Sequence, residues 1–323
     1  MSEDADASEA KVLRAMAREA VQLWDIPQPR VSLLTHHWNA TYIVRAGDGE
    51  RYVLRIGKPG VRSEIEVRSE LFWLRSLNDE TDMLLPKPLP AVDGRPFVTL
   101  RAGDSSAVRY CALFTWLPGR TLRGQATPNN VEKLGGGMAA LHHHADRFVA
   151  PLWFTNSRLD RVWTHSPLDP ATSGETHSLL TPRLRDLLRR AAERTQAELD
   201  RLYENPYGPR FLHADLHLGN TKLHQRKLGI LDFDDSLWGY PIQDIGITLF
   251  HLARYPKPDR LRESFRAGYE RIRAWPETYQ DEVEHHIDAR LLDMISLFAS
   301  PESDRDAEWL AQMLAMAERR FAD

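Results

Sequence analysis

His213, Asp215, Asn220 and Asp232 follow one another closely, in the order His-x-Asp-x4-Asn and then, after a short stretch, Asp-Phe-Asp. Apolar runs precede both groups, Phe211-Leu212 and Leu228-Gly229-Ile230-Leu231, and have the composition of short strands. Two such strands joined by a tight connection put Asp215, Asn220 and Asp232 along one loop-lined edge. Two carboxylates and an amide oxygen are ligands for hard divalent cations. Phosphoryl transfer uses such a set: the cation neutralises phosphate charge and a carboxylate orients the attacking hydroxyl. A single Asp near a Gly would read as a turn former or a helix cap. The combination carries the chemistry.

The Asp215 to Asn220 spacing resembles the protein-kinase catalytic loop, His-Arg-Asp-x4-Asn, and Asp232-Phe233 resembles the start of Asp-Phe-Gly. Ala214 in place of the Arg, and Asp234 in place of the Gly, lead away from eukaryotic-type protein kinases. With Leu216-His217-Leu218-Gly219 inside the loop, the segment instead resembles the aminoglycoside phosphotransferase family. That family includes choline, homoserine and related small-molecule kinases and some bacterial protein kinases. Its members tend to read His-Gly-Asp-x-His-x-x-Asn, then Ile-Asp-Phe/Trp-x-Asp, then Pro-x-x-Asp-Leu. The matching residues are His213, Asp215, His217, Asn220, Leu231 to Asp235, and Pro241-Ile242-Gln243-Asp244-Ile245.

The resemblance implies an α+β, protein-kinase-like bilobal fold, with a small N-terminal antiparallel sheet lobe and a larger, mainly helical C-terminal lobe. It implies ATP and Mg2+ as cofactors, Asp215 as the base that orients the acceptor hydroxyl, and Asn220 and Asp232 as metal ligands. Asp244, just before an apolar helical run, is expected to cap that helix and brace the catalytic loop without touching substrate. His217 either supports the loop by hydrogen bonding or only packs against it.

On the nucleotide side, the resemblance implies a basic residue on the third strand, paired to a helix Glu. That strand is Tyr52-Val53-Leu54-Arg55-Ile56, so Arg55 stands where Lys is usual, with Glu70 favoured as partner over Glu66 and Glu64. The guanidinium is a fixed cation with a phosphate-matching fork, bulkier than an ammonium and differently aimed. The alternative is a surface Arg on an edge strand. The phosphate-covering loop falls at Thr35 to Thr41 and contains no Gly. Asn39 is its candidate phosphate contact; His36 and His37 read as exposed loop residues. Phe114 and Thr115, in the linker, are expected to offer backbone groups to the adenine edge, and Trp116 packs on the base or in the lobe junction.

The elements that must position these residues follow from hydrophobic period and turn signals. Residues 9–24 have the apolar spacing of an amphipathic helix, stopped by Pro27 and Pro29. Strands follow at Val31–Leu34, Thr41–Arg45 and Tyr52–Ile56, the last two joined by Gly47-Asp48-Gly49. A helix over 62–77 and strands at Phe97–Leu100 and Tyr110–Trp116 complete the first lobe. Thr127-Pro128 and Thr181-Pro182 each read as a cap followed by Pro at the first helical position. Further helices are expected near 244–255, 259–273, 279–298 and 304–321. The domains are then 1–112 for the nucleotide, a linker at 113–119, and 120–323 with the catalytic loop and acceptor site.

With 323 residues the chain is long enough for two lobes, and 42% hydrophobic with 27% charged residues suits a globular enzyme. A net charge of −4 gives no basic stripe of the kind nucleic-acid binding needs. Cys111, the single cysteine, leaves no intramolecular disulfide or Cys-rich metal site and lies in an apolar run. The first residues lack a signal-peptide layout and no run reaches the length of a membrane span, so a cytoplasmic location is expected.

Two clusters invite a metal or ligand reading. Consecutive helical residues point about 100° apart, so His142-His143-His144 cannot converge on one ion, and Gly135-Gly136-Gly137 beside them reads as helix packing rather than a phosphate loop. His285-His286, among Asp281, Glu282, Glu284 and Asp288, is either a solvated acidic face or an acid-lined pocket for a cationic acceptor. The acceptor is expected to be a small-molecule hydroxyl, with a protein Ser/Thr as the rival. A pseudokinase-like nucleotide-binding module is the non-enzyme rival. Oligomeric state is not legible.

Overall fold

The computed structural model describes residues 3–36, 38–101, 107–164, 169–173, 177–299 and 307–322. In chain order its elements are α1 (Glu3–Ala20), β1 (Arg30–His36), β2 (Ala40–Arg45), β3 (Arg51–Ile56), α2 (Glu64–Glu80), β4 (Pro88–Leu89), β5 (Val98–Arg101), β6 (Val108–Thr115) and β7 (Arg120–Thr121). Then come α3 (Pro128–Ala145), α4 (Pro182–Tyr203), β8 (Arg210–Leu212), β9 (Thr221–His224), β10 (Lys227–Ile230) and β11 (Leu237–Gly239). The helices α5 (Pro241–Leu252), α6 (Pro258–Glu270), α7 (Glu282–Phe298) and α8 (Ala307–Phe321) finish the chain. No described helix is long and apolar enough to cross a membrane.

The backbone divides into two compact units, each discontinuous in sequence. The first is Met1–Thr121 with Val149–Asn156 and Lys222–Asp234; the second is Leu122–Phe148, Ser157–Thr221 and Asp235–Asp323. A single cut at 113–119 makes no provision for the two later segments that join the first unit.

In the first unit, an antiparallel sheet runs β1-β2-β3-β6-β4, with β5 also on β6. Alternation along β2 sends Ala40, Tyr42 and Val44 inward, where they meet Leu54 and Ile56 of β3 and Cys111 and Leu113 of β6. Leu13, Met16, Ala17 and Ala20 of α1 close this core. They recur at i, i+3, i+4 and i+7, so Val12, one residue off that stripe, stays 40% exposed. The helix begins earlier than expected and ends in a 3-10 turn, Val21–Leu23, ahead of Pro27. Burial pushes the Cys111 thiol up to about 12, which makes it inert.

Helix α2 starts at a full capping box: the Ser63 hydroxyl accepts from the Glu66 amide, and the Glu66 carboxylate accepts from the Ser63 amide at 2.8 Å. Glu66 is thereby spent on its own helix terminus. Glu70, one turn on, is buried.

In the second unit, Thr127 and Thr181 cap α3 and α4, with Pro128 and Pro182 at the first helical positions. Helix α5 starts at Pro241, three residues before the expected position, because Pro fits the first turn and Gln243 accepts from the Tyr240 amide at 2.8 Å. Asp244 therefore sits inside the first turn instead of capping it. Glycines let helices approach closely: a Cβ on Gly135 of α3 would collide with the Phe265 carbonyl of α6, and one on Gly268 of α6 with the Glu132 carbonyl. Gly135→Ala is expected to cost about 1–3 kcal/mol by overpacking. Gly136→Ala, which meets only the Gly268 carbonyl at 3.5 Å, should cost nothing. Thermal denaturation of both variants checks this, and equal melting temperatures would refute it.

Candidate active site

In the second unit, β8 pairs with β11 through Phe211 and Leu212 and delivers the chain into His213 to Asn220. The loop is tied down at each step. Ala214 takes φ +60°, a left-handed conformation unusual for a non-Gly residue, and its amide donates to Asp244 Oδ1 at 3.0 Å. Asp244 is fully buried and its Oδ2 lies 3.1 Å from His142 Nε2, whose Nδ1 contacts the Tyr269 hydroxyl at 2.8 Å. Asp244 thus braces the loop, as its motif position suggests. The Thr248 hydroxyl donates to the Leu216 carbonyl, and His217 Nδ1 accepts from the Gly219 amide at 2.9 Å, capping the 3-10 turn Leu218–Asn220. His217 is a loop support.

Asp215 is the focus of this loop. Asn220 Nδ2 donates to the Asp215 backbone carbonyl at 3.0 Å and to Oδ2 at 2.9 Å. Arg290, reaching in from α7, donates Nη2–H to Oδ1 at 2.7 Å. His217 Nε2 lies 3.4 Å from Oδ2 and His251 Nε2, from α5, 3.6 Å from Oδ1. Burial would raise the Asp215 carboxyl, but the His217 and His251 contacts and the Arg290 charge reverse that and hold it well below the usual carboxylate range. Burial drives the His251 imidazole down to about 3, against the opposing pull of Asp215, so His251 is neutral.

Asp215, His217 and His251 place their ligand atoms within 4.8 Å of one another, a set with the composition of a transition-metal site. The hydrogen bonds oppose it. The Gly219 amide and the Arg254 guanidinium, 3.0 Å from His251 Nδ1, are donors only, so both Nδ1 atoms carry the lone pair. The ring protons then sit on the two Nε2 atoms that face Asp215. For Asn220, the Nδ2 hydrogen bonds go to Asp215, and its amide oxygen has the chemistry of a hard-cation ligand.

In the first unit, Arg55 and Glu70 form a two-pronged pair, Nη1 to Oε1 at 2.8 Å and Nη2 to Oε2 at 2.7 Å. Arg55 also lies 3.2 Å from Asp234 Oδ1 and over the Phe114 ring, 5.3 Å from its centroid. Arg62 joins both carboxylates, Glu70 and Asp234. Burial alone would raise the Asp234 carboxyl; the Arg55 and Arg62 charges and the Asn39 amide bring it down to about 2. Asn39 Nδ2 donates to Asp234 Oδ2 at 2.6 Å, and its oxygen accepts from the Lys58 amide at 3.3 Å. Asp232 follows β10 with φ +63°, left-handed like Ala214. Its carboxylate has the oxygen chemistry a hard cation requires.

Phe114 lies in β6 between Val53 of β3 and Pro88 of β4. Thr115 donates its amide to the Lys87 carbonyl at 3.0 Å and accepts at Oγ1 from the Lys87 amide at 2.9 Å, so its donor is committed within the sheet. Trp116 is contacted by two cations, Arg51 at 4.7 Å and Lys222 at 4.2 Å from the ring centroid. His36 is exposed, and His37 lies outside the described residues.

The His142 to His144 run separates as helical spacing requires, His142 and His144 buried and His143 exposed. The acidic side chains around His285 are tied to neighbours. Glu284 is paired with Arg262 and Arg320, Asp288 with Arg320, and Glu282 accepts from the Thr278 hydroxyl at 2.9 Å. His286 is buried against Gly246.

Sequence reasoning missed Arg290, His251 and Arg62. The available signal for the first two was a polar residue on an apolar face: Arg290 beside Ile287 and Leu291, His251 beside Phe250 and Leu252. Arg62 precedes the α2 cap and carries no periodic signal.

Residues 30–280 match the model of the phosphotransferase enzyme family (APH), most of the chain. The chain belongs to this family and is a phosphotransferase. It is similar to the solved structure of a microcompartment-associated aminopropanol kinase, 27% identical, covering 94% of this chain and 96% of that one with a TM-score of 0.79. An amicoumacin kinase solved in complex with AMP-PNP, Ca2+ and Ami has a TM-score of 0.78 at 18% identity, covering 99% and 96% of the two chains. The amicoumacin kinase of Bacillus subtilis is 23% identical over 246 residues, 74% of this chain and 68% of its own length. These structures have the protein-kinase-like fold. Their names give no support to a protein Ser/Thr acceptor.

Proposed function

We propose that this phosphotransferase moves the γ-phosphoryl group of ATP, with Mg2+, to a hydroxyl of a small-molecule acceptor. The observation that carries the reading is Asp215: an ionised carboxylate anchored by Asn220 and Arg290 in the loop that bears the family motif. Asp215 orients the acceptor hydroxyl and takes its proton on a carboxylate oxygen as the O–P bond forms. Arg55 offers its cationic face to the α/β-phosphates, and Glu70 fixes the orientation of that guanidinium through two hydrogen bonds. Asn39 assists at the phosphates, and Phe114 and Thr115 form the strand end assigned to the adenine. Asn220 and Asp232 would be the oxygen ligands for Mg2+, which would supply charge neutralisation at the phosphates. The names of the similar kinases, aminopropanol and amicoumacin, support a small acceptor.

ADP release and phosphorus NMR of the product, over sugars, amino alcohols, hydroxy acids and aminoglycosides, test the reading. The expected result is a phosphomonoester formed only with ATP and a divalent cation, and lost on chelation. ATP binding by thermal shift with no phosphorylated product from any class would favour the nucleotide-binding module instead.

A further inference from the structure

A cavity of about 480 Å³ lies in the first unit, between the outward face of α2, the turn before β5 and the segment that carries Trp153. None of the residues assigned to the nucleotide or the cation lines it. Its volume falls in the range of small-molecule sites, about 300–1,000 Å³. The lining is apolar where it is deepest: Leu71 and Phe97 are buried, and Phe72 meets the Trp153 ring edge-on with centroids 5.3 Å apart.

The rim is cationic. Arg68, Arg75 and Arg95 line the cavity against a single carboxylate, Glu64. Arg95 is taken by Asp93, its Nε–H donating to Oδ2 at 2.7 Å. Arg68 and Arg75 are exposed and stand two helical turns apart on α2, which puts them on one face about 10 Å from each other. Each has an acid at the spacing of a helical ion pair, Glu64 one turn before Arg68 and Asp79 one turn after Arg75. Neither pair closes. The Arg68 guanidinium lies over the Trp153 ring instead, 4.4 Å from its centroid, and Arg75 has no ion-pair partner among the described residues.

This combination selects its occupant by charge and shape. A cation is repelled by both guanidiniums, and Arg68 already covers a face of the Trp153 ring that a ligand ammonium would seek. An oxyanion meets two planar forks whose N–H groups match carboxylate or phosphate oxygens. A flat ring finds Phe72 and Phe97 to lie against. We infer that the cavity is a second binding site, for a small aromatic molecule bearing a carboxylate or phosphate. The ring packs on Phe72 and Phe97, and Arg68 and Arg75 read the anionic group. The inference does not rest on the role given to Asp215.

Isothermal titration of the full chain saturated with AMP-PNP and Mg2+ tests it. The probes are 1-naphthyl phosphate and 1-naphthoate; the controls are inorganic phosphate, which lacks the ring, and 1-naphthylmethylamine, which reverses the charge. At least one ring anion is expected to bind at one site per chain, with a Kd at least about tenfold below that of inorganic phosphate, the weight of burying the ring. The amine should not bind. Exposed guanidiniums make the affinity salt-dependent, so Kd should rise with ionic strength. Arg75→Glu should weaken the bound anion at least about tenfold, as loss of a charged hydrogen bond does. Arg101→Glu, the same charge change at an exposed position of β5 outside the lining, should leave the affinity unchanged. Melting temperatures show that both variants are folded. No binding of either ring anion, equal binding of the amine, or an unchanged Kd in Arg75→Glu overturns the inference. So does binding seen only without AMP-PNP, which would place the probe in the nucleotide site. Failure of AMP-PNP itself to bind would count against the functional reading and leave this site standing.

Discussion

Asp215→Ala is expected to lower kcat by about 10²–10⁴-fold, the range for loss of a positioned general base. Nucleotide affinity should hardly change, because Arg55 and Glu70, assigned to the phosphates, hold each other and Asn220 keeps its bond to the Asp215 backbone carbonyl. The substitution has a structural side that must be measured with it. Arg290 is 7% exposed at its side chain and gives Nη2–H to Asp215, so removing the carboxylate leaves a buried guanidinium with Asp293 as its remaining ion-pair partner among the described residues. Asp215→Asn is no gentler control: its amide would turn N–H groups towards Asn220, Arg290 and the histidines, all donors. Melting temperature and ATP binding therefore accompany the kinetics. Wild-type turnover in a folded Asp215→Ala protein would remove Asp215 from the mechanism.

What the sequence revealed here was set by distance along the chain. The His213 to Asn220 loop is legible because its constraints are local: Asn220 reaches back five residues to Asp215 and His217 two forward to Gly219. The Arg55 to Glu70 pair is reached through the family resemblance, which implies a strand cation paired to a helix Glu, with Glu64, Glu66 and Glu70 as its candidates. The competing Glu66 is excluded by the capping box, a local motif that the sequence Ser63-Glu64-Ile65-Glu66 already contained. Arg290 lies 75 residues from Asp215, and Asn39 lies 195 from Asp234. Such contacts depend on which helix faces which loop, and hydrophobic period decides only which side of a helix is buried. The acidic stretch near His285 leaves a solvated face and a ligand pocket both open, because the partners of its charges, Arg262 and Arg320, stand on other helices.

Removing the Glu70 carboxylate should be the most destabilising single polar change in the first unit. Glu70 is 1% exposed and accepts from Arg55 through both oxygens and from Arg62. Asp234 is the second carboxylate of the group, so two guanidiniums and two carboxylates balance. Glu70→Ala leaves two part-buried cations facing one anion, and breaking a buried pair from one side costs about 3–5 kcal/mol. Glu70→Gln fills the same space and can still accept one N–H, so it should cost less. Glu66→Ala, one turn away, loses only part of a helix cap, typically about 1 kcal/mol. Urea denaturation of the three variants should give that order, Ala at 70 worst and Ala at 66 mildest. The order discriminates because helix propensity alone predicts the reverse sense: Ala is a better helix former than Glu or Gln at both positions. If Glu70→Ala proved as stable as Glu66→Ala, the four-residue ion network would carry no weight in holding α2 to the sheet, and Glu70 could not be what fixes Arg55.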